Sequence, residues 1–323
     1  MSKRDRTEEA LDQLSALHGI DDPFLLADEL KKFLADRSNL VVARAARFIR
    51  ENHVPQLIPE LVASFERLMK DAPRLDKRCA GVTEIVMSLY EKDYREPDVY
   101  LKGIEHVQME ASFGPPVDTA AALRGISAQG LLRTGYPHAL KKAVQLLIDD
   151  WAPARIGAVR ALAANGGDAG TLVLRHKALV GDKDGEVTAE CFAGLLAAER
   201  EQAVDFVAAF AQDGGDAAET ALLALGESGL PTAIDFLRSM WPRAGHSPIR
   251  KTLLLALAVS RNEDAVNFLM ALLDDAPLSA AAEIINALAI HKNSERVRRS
   301  VSEAVDRRRE RELLEAYRRE FAQ

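Results

Sequence analysis

The sequence predicts an all-α chain, a right-handed α-solenoid of about nine antiparallel helix pairs. Three observations carry this. Leu131, Leu162, Leu195, Leu225, Leu257 and Leu288 recur in one helical slot at steps of 31, 33, 30, 32 and 31 residues. A fixed period of that length marks stacked units that bury their apolar faces on one another. A second slot has the same period: Ala203-Val204-Asp205-Phe206-Val207 returns as Ala233-Ile234-Asp235-Phe236-Leu237 and as Ala265-Val266-Asn267-Phe268-Leu269, at steps of 30 and 32. Composition agrees, with 48% apolar residues but only 6% aromatics. Ala and Leu dominate the apolar positions, the mix for close helix packing at high helix propensity. One array over residues 1–323 is therefore expected, although length alone would allow two domains.

Residues 1–35 are expected to form a capping helix pair. Thr7 is the N-cap of the first helix, Glu8 and Glu9 favour its positive end, and Leu11, Leu14 and Leu17 form a stripe that ends at Gly19. Asp22-Pro23 restarts the helix, with Leu26, Leu30, Phe33 and Leu34 on one face. Residues 36–116 read as longer, irregular repeats. Helices over about 39–52 and 54–70 turn Val41, Ala45, Phe48 and Ile49, then Leu57, Ile58, Leu61, Phe65 and Leu68, inward. The next pair, about 74–90 and 97–109, fits the register poorly. Val41 to Leu123 spans 82 residues for two units, about 41 each.

Residues 117–306 read as regular repeats. Their helices fall near 117–133 with 137–148, 152–164 with 168–180, 185–198 with 201–212, 216–228 with 231–241, 247–260 with 263–274, and 279–290 with 294–306. Asn165-Gly166-Gly167, Asp213-Gly214-Gly215, Pro231 and Pro248 lie between helices, where left-handed caps and first-turn prolines belong. Residues 307–323 are expected to form a charged capping helix. From residue 291 onward ten Lys or Arg stand against seven Asp or Glu, and Leu313, Leu314, Tyr317 and Phe321 would dock back or join another chain.

An Asp stands ahead of the Leu slot at Asp118, Asp149, Asp182 and Asp275, as Asp36 stands ahead of Val41. Asp149-Asp150-Trp151-Ala152-Pro153-Ala154-Arg155, followed by Ala158, Ala161 and Leu162, resembles the first helix of a HEAT repeat in the short bacterial form often called phycobilisome-lyase-like. The pattern there is an Asp, a Val-Arg pair, small residues and Ala-Leu-Gly. Leu123-Arg124 and Ile249-Arg250 match the pair, Ala154-Arg155 matches it loosely, and Ala224-Leu225-Gly226 matches the ending. The resemblance covers about 118–306 well and 36–110 weakly. It implies second helices lining a concave face, and a ladder between repeats made by the Asp and the Arg. Thr188, Ala218 and Ala281 stand where the Arg would be, so an incomplete ladder is expected. It also implies a binding surface rather than a particular activity, since such arrays serve unrelated partners.

Net charge is −7 and the pI is near 5.6, so attraction of the whole chain to nucleic acid or to an anionic membrane is not expected. Met1-Ser2-Lys3-Arg4-Asp5-Arg6 is charged and leads into a helix without an apolar core, so no secretory signal is expected. No apolar run reaches the length of a membrane span. Cys79 and Cys191 lie far apart, which excludes a disulfide framework and points to a reducing, cytoplasmic setting.

A search for chemistry yields no catalytic residue, metal site or cofactor. His18, His53, His106, His138, His176, His246 and His291 are scattered over separate units. His176 shares a face with Leu172, Val173, Leu179 and Val180 and reads as a packed core histidine. Cys79 and Cys191 read as small hydrophobes inside helices. Asp182-Lys183-Asp184-Gly185-Glu186 has its glycine in the wrong place for a calcium loop and reads as a turn with an N-cap. Asn165 to Gly170 is glycine-rich, but no strand precedes it and no Lys-Ser or Lys-Thr follows, so it is a tight turn rather than a phosphate cradle.

The expected function is thus a non-catalytic scaffold that binds a protein or peptide partner in the groove of the second helices. If Lys102, Lys141, Thr171, Asp205, Asp235, Asn267 and Arg298 share that groove, its charge runs from basic through acidic to basic, which suits a protein better than a uniform polymer. Asp205 and Asp235 have a second reading, as complements to positive helix ends. Tyr90, Tyr94, Tyr100 and Tyr136 cluster near Phe113 and the connections around 91–97 and 109–116, either as recognition residues or as bulky filler of an irregular repeat. The candidate partner-binding residues are Tyr94, Tyr100, Lys102, His138, Lys141, Lys142, Asp205, Asp235 and Asn267. Two alternatives come from other classes. One is a nucleic-acid-binding protein similar to the HEAT-like alkylpurine DNA glycosylases, for which Trp151 with Asp150 and Arg155 is the only echo. The other is a lyase or chaperone for a bilin-like cofactor, implied by the subtype's name.

Overall fold

The structure, a computed structural model, describes residues 3–20, 22–52, 54–244 and 249–321. His53, His246 and Pro248 lie outside the described residues, as do residues 1, 2, 322 and 323. The described chain is all-α, with twenty α-helices, four single 3₁₀ turns and one two-stranded hairpin. No described helix is long and apolar enough to cross a membrane. The chain divides into two compact units, Met1–Val173 and Leu174–Gln323.

In the first unit α1 (Lys3–Ala16), α3 (Asn39–Glu51), α6 (Ala80–Glu91), α8 (Ala121–Arg133) and α10 (Ala152–Asn165) pack in succession, each on the next. Between them come α2 (Pro23–Leu34), α4 (Ile58–Met69), the single turn α5 (Ala72–Leu75), α7 (Pro97–Glu105) and α9 (Ala139–Leu146). Local chemistry sets several of these boundaries. Asp22 caps α2 by accepting from the amides of Phe24 and Leu25, ahead of Pro23 at the first helical position. Helix α11 (Gly167–Val180) begins in this unit and ends in the second.

In the second unit α12 (Gly185–Glu199), α14 (Ala218–Ser228), α16 (Ile249–Val259), α18 (Leu278–Leu288) and α20 (Arg311–Phe321) form one succession of contacts. A parallel succession runs through α13 (Glu201–Asp213), α15 (Pro231–Ala244), α17 (Glu263–Asp275) and α19 (Glu295–Arg308). Helix α20 docks on α18 and α19 of its own chain, burying Leu313, Ala316 and Phe321. Asp184 caps α12 through the amide of Glu186, and Asp182 accepts from the amide of Asp184, so this acidic segment is the turn and cap that its sequence implies.

All six leucines of the repeating slot are fully buried. The slot also continues further toward the N-terminus than the sequence shows. Asp36, Asp76 and Asp118 precede Ile49, Leu89 and Leu131 by the same thirteen residues, and those three apolar side chains are fully buried too.

The chain around 74–118 departs from expectation. Instead of one helix over 74–90, α5 is followed by a 3₁₀ turn at Lys77–Cys79 in which Arg78 and Cys79 both have positive φ, 62° and 49°. Cys79 therefore sits in a left-handed turn ahead of α6, and not inside a helix. Helix α7 stops at Glu105, and the chain forms an antiparallel hairpin of β1 (Met109–Glu110) with β2 (Val117–Asp118) before α8. Phe113, in the uncharged connection between the strands, is fully exposed.

The closest helix contacts among the described residues are backbone on backbone. A Cβ built on Gly157 of α10 would lie 2.1 Å from Gly125 Cα of α8, and one on Gly226 of α14 would lie 2.2 Å from Ala256 O of α16. Gly157→Ala must push these helices apart and is expected to destabilise by about 1–3 kcal/mol, as other overpacked contacts do. Urea unfolding measures it, and an unchanged midpoint would contradict the contact.

Candidate functional site

The second helices of the C-terminal unit carry the most regular exposed feature. Ala203–Val207 in α13, Ala233–Leu237 in α15 and Ala265–Leu269 in α17 share one pattern: buried, buried, exposed, half-buried, buried. In each of these three helices the residue after two buried ones is turned outward. Asp205, Asp235 and Asn267 are the exposed residues, and Phe206, Phe236 and Phe268 are the half-buried ones beside them. Since α13 packs on α15 and α15 on α17, the six form one row across three helices.

Arginines knit this row together. The guanidinium of Arg238 lies over the ring of Phe268 at 5.2 Å and approaches Asp235 at 3.7 Å. Arg175 lies over Phe206 at 4.6 Å and pairs with Glu199. Arg296 donates to Asn267 Oδ1 at 3.4 Å, and Thr232 bonds Glu201. Cation–π contacts of this sort hold the rings of Phe206 and Phe268 in place. Asp205 and Asp235 are each the fifth residue of their helix, one position past the first turn, where the pull of the positive helix end has largely fallen off. The three phenylalanines were missed as candidates. Their signal was present, since the ring recurs unchanged at steps of 30 and 32 while its neighbours vary.

The cationic candidates of the first unit are largely neutralised. Lys102 Nζ lies 2.7 Å from both carboxylate oxygens of Glu66, and Lys142 Nζ lies 2.5 Å from Glu105. Lys141 is exposed and makes no ion pair among the described residues. His138 is exposed at the start of α9, edge-on to Tyr136 at 5.8 Å.

Tyr100 requires correction. It is fully buried, its ring lies against the open side of Gly130, and its hydroxyl donates to the carbonyl of Tyr94 at 3.0 Å. Burial, first of all, pushes its phenol well above the usual tyrosine value. Tyr100 is core filler and offers nothing to a partner. Tyr94 is half-buried, and Arg133 stacks on Tyr90 at 3.7 Å.

Thr171 is buried and bonds the carbonyls of Gly167 and Asp168, so Leu172 takes the exposed place in that helix. His176 is exposed, and so are Leu172, Leu179 and Val180. The buried stripe of α11 follows Thr171, Leu174 and Ala178 at helical spacing, which puts the apolar residues around His176 on the outer side.

In the first unit Asp, Arg, Asn and Gln side chains form a ladder of bonds between successive helices. Asp76 accepts from Asn39 Nδ2 at 2.8 Å and from the amides of Gly81 and Val82 at 2.9 and 2.7 Å. Gln108 donates its side chain to Asp76 O and its amide to Asp118. Arg124 then bridges two carboxylates, with Nη1 at 2.6 Å from Asp118 and Nε and Nη2 at 2.9 and 3.0 Å from Asp149. Arg155 donates to the carbonyls of Asp149 and Asp150. Burial raises the Asp118 carboxyl, but the amides of Ala120 and Gln108 and the Arg124 guanidinium outweigh it and hold the group below its ordinary value. In the second unit Lys177–Asp182 and Arg250–Glu283 pairs stand in place of this chain of bonds.

These contacts commit the other chemical candidates. Arg155 is buried in the ladder, so the residues that echo a glycosylase include no guanidinium presented to solvent. Burial pushes both the Cys79 and the Cys191 thiols up to about 12, which keeps them protonated and unreactive near neutrality. Among the described residues no three His, Cys, Asp or Glu side chains converge on a metal-sized site. No family model matches the chain, and no curated protein matches it.

Proposed function

We propose that the chain is a non-catalytic, cytoplasmic scaffold of HEAT type, a right-handed α-solenoid of about nine helix pairs that binds a protein or peptide through its second helices. The observation that carries the reading is the row of Asp205, Asp235 and Asn267 beside Phe206, Phe236 and Phe268, repeated at one register on three packed helices. The succession of first-helix contacts within each unit supports the solenoid. A row that alternates carboxylates with ring edges suits a peptide bearing both basic and apolar side chains, since charge steers it and the rings anchor it. The ladder and the buried thiols serve the framework.

A photo-crosslinking residue at position 235, in cells that make the protein, is expected to give a discrete adduct. The protein identified from that adduct should bind the purified chain at least tenfold more weakly when Asp205 and Asp235 are both changed to Lys. Undiminished affinity in that double variant would overturn the reading. Salt-sensitive DNA binding at low ionic strength would point instead to the nucleic-acid class.

A further inference from the structure

Among the described residues a groove of about 510 Å³ lies on the side of the N-terminal unit formed by α1, α3, α6 and α8. That volume falls within the ~300–1,000 Å³ of ligand-binding clefts. Its walls mix apolar and cationic groups: Leu11 and Leu40, the latter 54% exposed, together with Arg44, Arg47, Arg78 and Thr119. Arg47 is paired with Glu84, which also takes Arg50 at 3.4 Å. Arg44 and Arg78 are exposed, and their guanidiniums make no ion pair or hydrogen bond among the described residues. In a chain of net charge −7, uncompensated cations are thus gathered in one concave place.

The presentation of Arg78 is the second observation. Arg78 and Cys79 are consecutive non-glycine residues in the left-handed region, a conformation that persists only where its surroundings over-determine it. The surroundings here are specific. Glu110 Oε1, in the hairpin, accepts from the amide of Arg78 at 2.6 Å and is itself held by Gln108 Nε2 at 2.6 Å and Thr119 Oγ1 at 3.3 Å. Asp76 accepts from the amide of Cys79 through its carbonyl at 3.1 Å and fixes the start of α6 through its carboxylate. A carboxylate in the hairpin and another before the turn thereby fasten an arginine backbone in a strained shape at the rim of the groove.

We propose that this groove binds an acidic peptide segment of a partner protein, with Arg44 and Arg78 holding carboxylates and Leu11 and Leu40 receiving an adjacent apolar side chain. Guanidinium forks match carboxylates bidentately. The apolar wall argues against a bare anion. The absence of any aromatic side chain among the lining residues argues against single-stranded nucleic acid, whose bases would need stacking platforms. This site is separate from the second-helix row of the C-terminal unit, and either can fail without the other.

The test is selection of random peptides displayed on phage against the full chain, followed by anisotropy titration of the selected peptides with a fluorescent label. Selected sequences are expected to pair Asp or Glu with Leu, Ile or Phe, and R44E/R78E should weaken them at least tenfold, while K292E, at an exposed lysine of the C-terminal unit, leaves them unchanged. Arg78→Gly separates binding from framework, because glycine accepts the positive φ without strain. It should unfold no earlier than wild type yet lose binding at least threefold. Failure to select any acidic peptide, equal binding by R44E/R78E and by Arg78→Gly, or displacement of the peptide by an equimolar unlabelled oligonucleotide would each overturn the proposal.

Discussion

Replacing Arg124 by Met is expected to destabilise the protein by about 3–5 kcal/mol, the range for breaking a buried ion pair by removing one partner. The guanidinium and the Asp118 carboxylate have side-chain exposures of 5% and 2%, and Asp149 on its other side is 15% exposed. Without the cation two carboxylates are left close together in a region that water barely reaches. Urea unfolding followed by circular dichroism measures the loss, and Asp118→Asn in the same chain should restore part of it. The pH dependence has a definite sign. The Asp118 carboxyl of the folded protein lies below its ordinary 3.8, so its stabilising contribution is complete above that value and is lost as pH falls through the lower folded value. In Arg124→Met the cation that helps hold it down is gone, so acid unfolding should begin at higher pH than in wild type. Equal midpoints at neutral pH and parallel acid profiles would remove the ladder from any account of stability.

Leu257→Asp is the second large effect. Leu257 is fully buried in α16, between α14 and α18, and occupies the slot that defines the repeat. An aspartate there forfeits the leucine's packing and buries a carboxylate, which together should cost about 4 kcal/mol or more. Leu162→Asp makes the same demand on α10 in the other unit. Hydrogen exchange distinguishes the two, since protection should fall first in the unit that carries the substitution. Near-wild-type thermal unfolding of both variants would contradict the register.

What was legible follows from what repeats. The Leu slot and the Ala-Val-Asp-Phe-Val motif are periodic, and the burial of both matches their spacing. What was not legible is local or unique. The hairpin has strands of two residues, too short for any alternation to show. The turn at Arg78 and Cys79 uses a conformation that glycine normally announces, and no glycine is there. The slot at Ile49 and Leu89 was obscured by spacings of 40 and 42 residues around these insertions. In the candidate site, the exposure of Asp205, Asp235 and Asn267 follows from the motif, whereas the burial of Tyr100 depends on room left by Gly130, thirty residues away. The apolar residues around His176 misled because Leu172 and Leu179 are exposed against their hydropathy.

The glycine contacts bear on how the molecule responds to load. Where α8 meets α10 and where α14 meets α16, no side chain separates the two backbones at the crossing, so there is nothing there to change rotamer and let one helix slide along the other. Helices separated by leucine or isoleucine can shear by small rotamer adjustments; these two crossings act as rivets. Relative movement of neighbouring helices within either unit is therefore expected at the crossings where side chains separate the backbones.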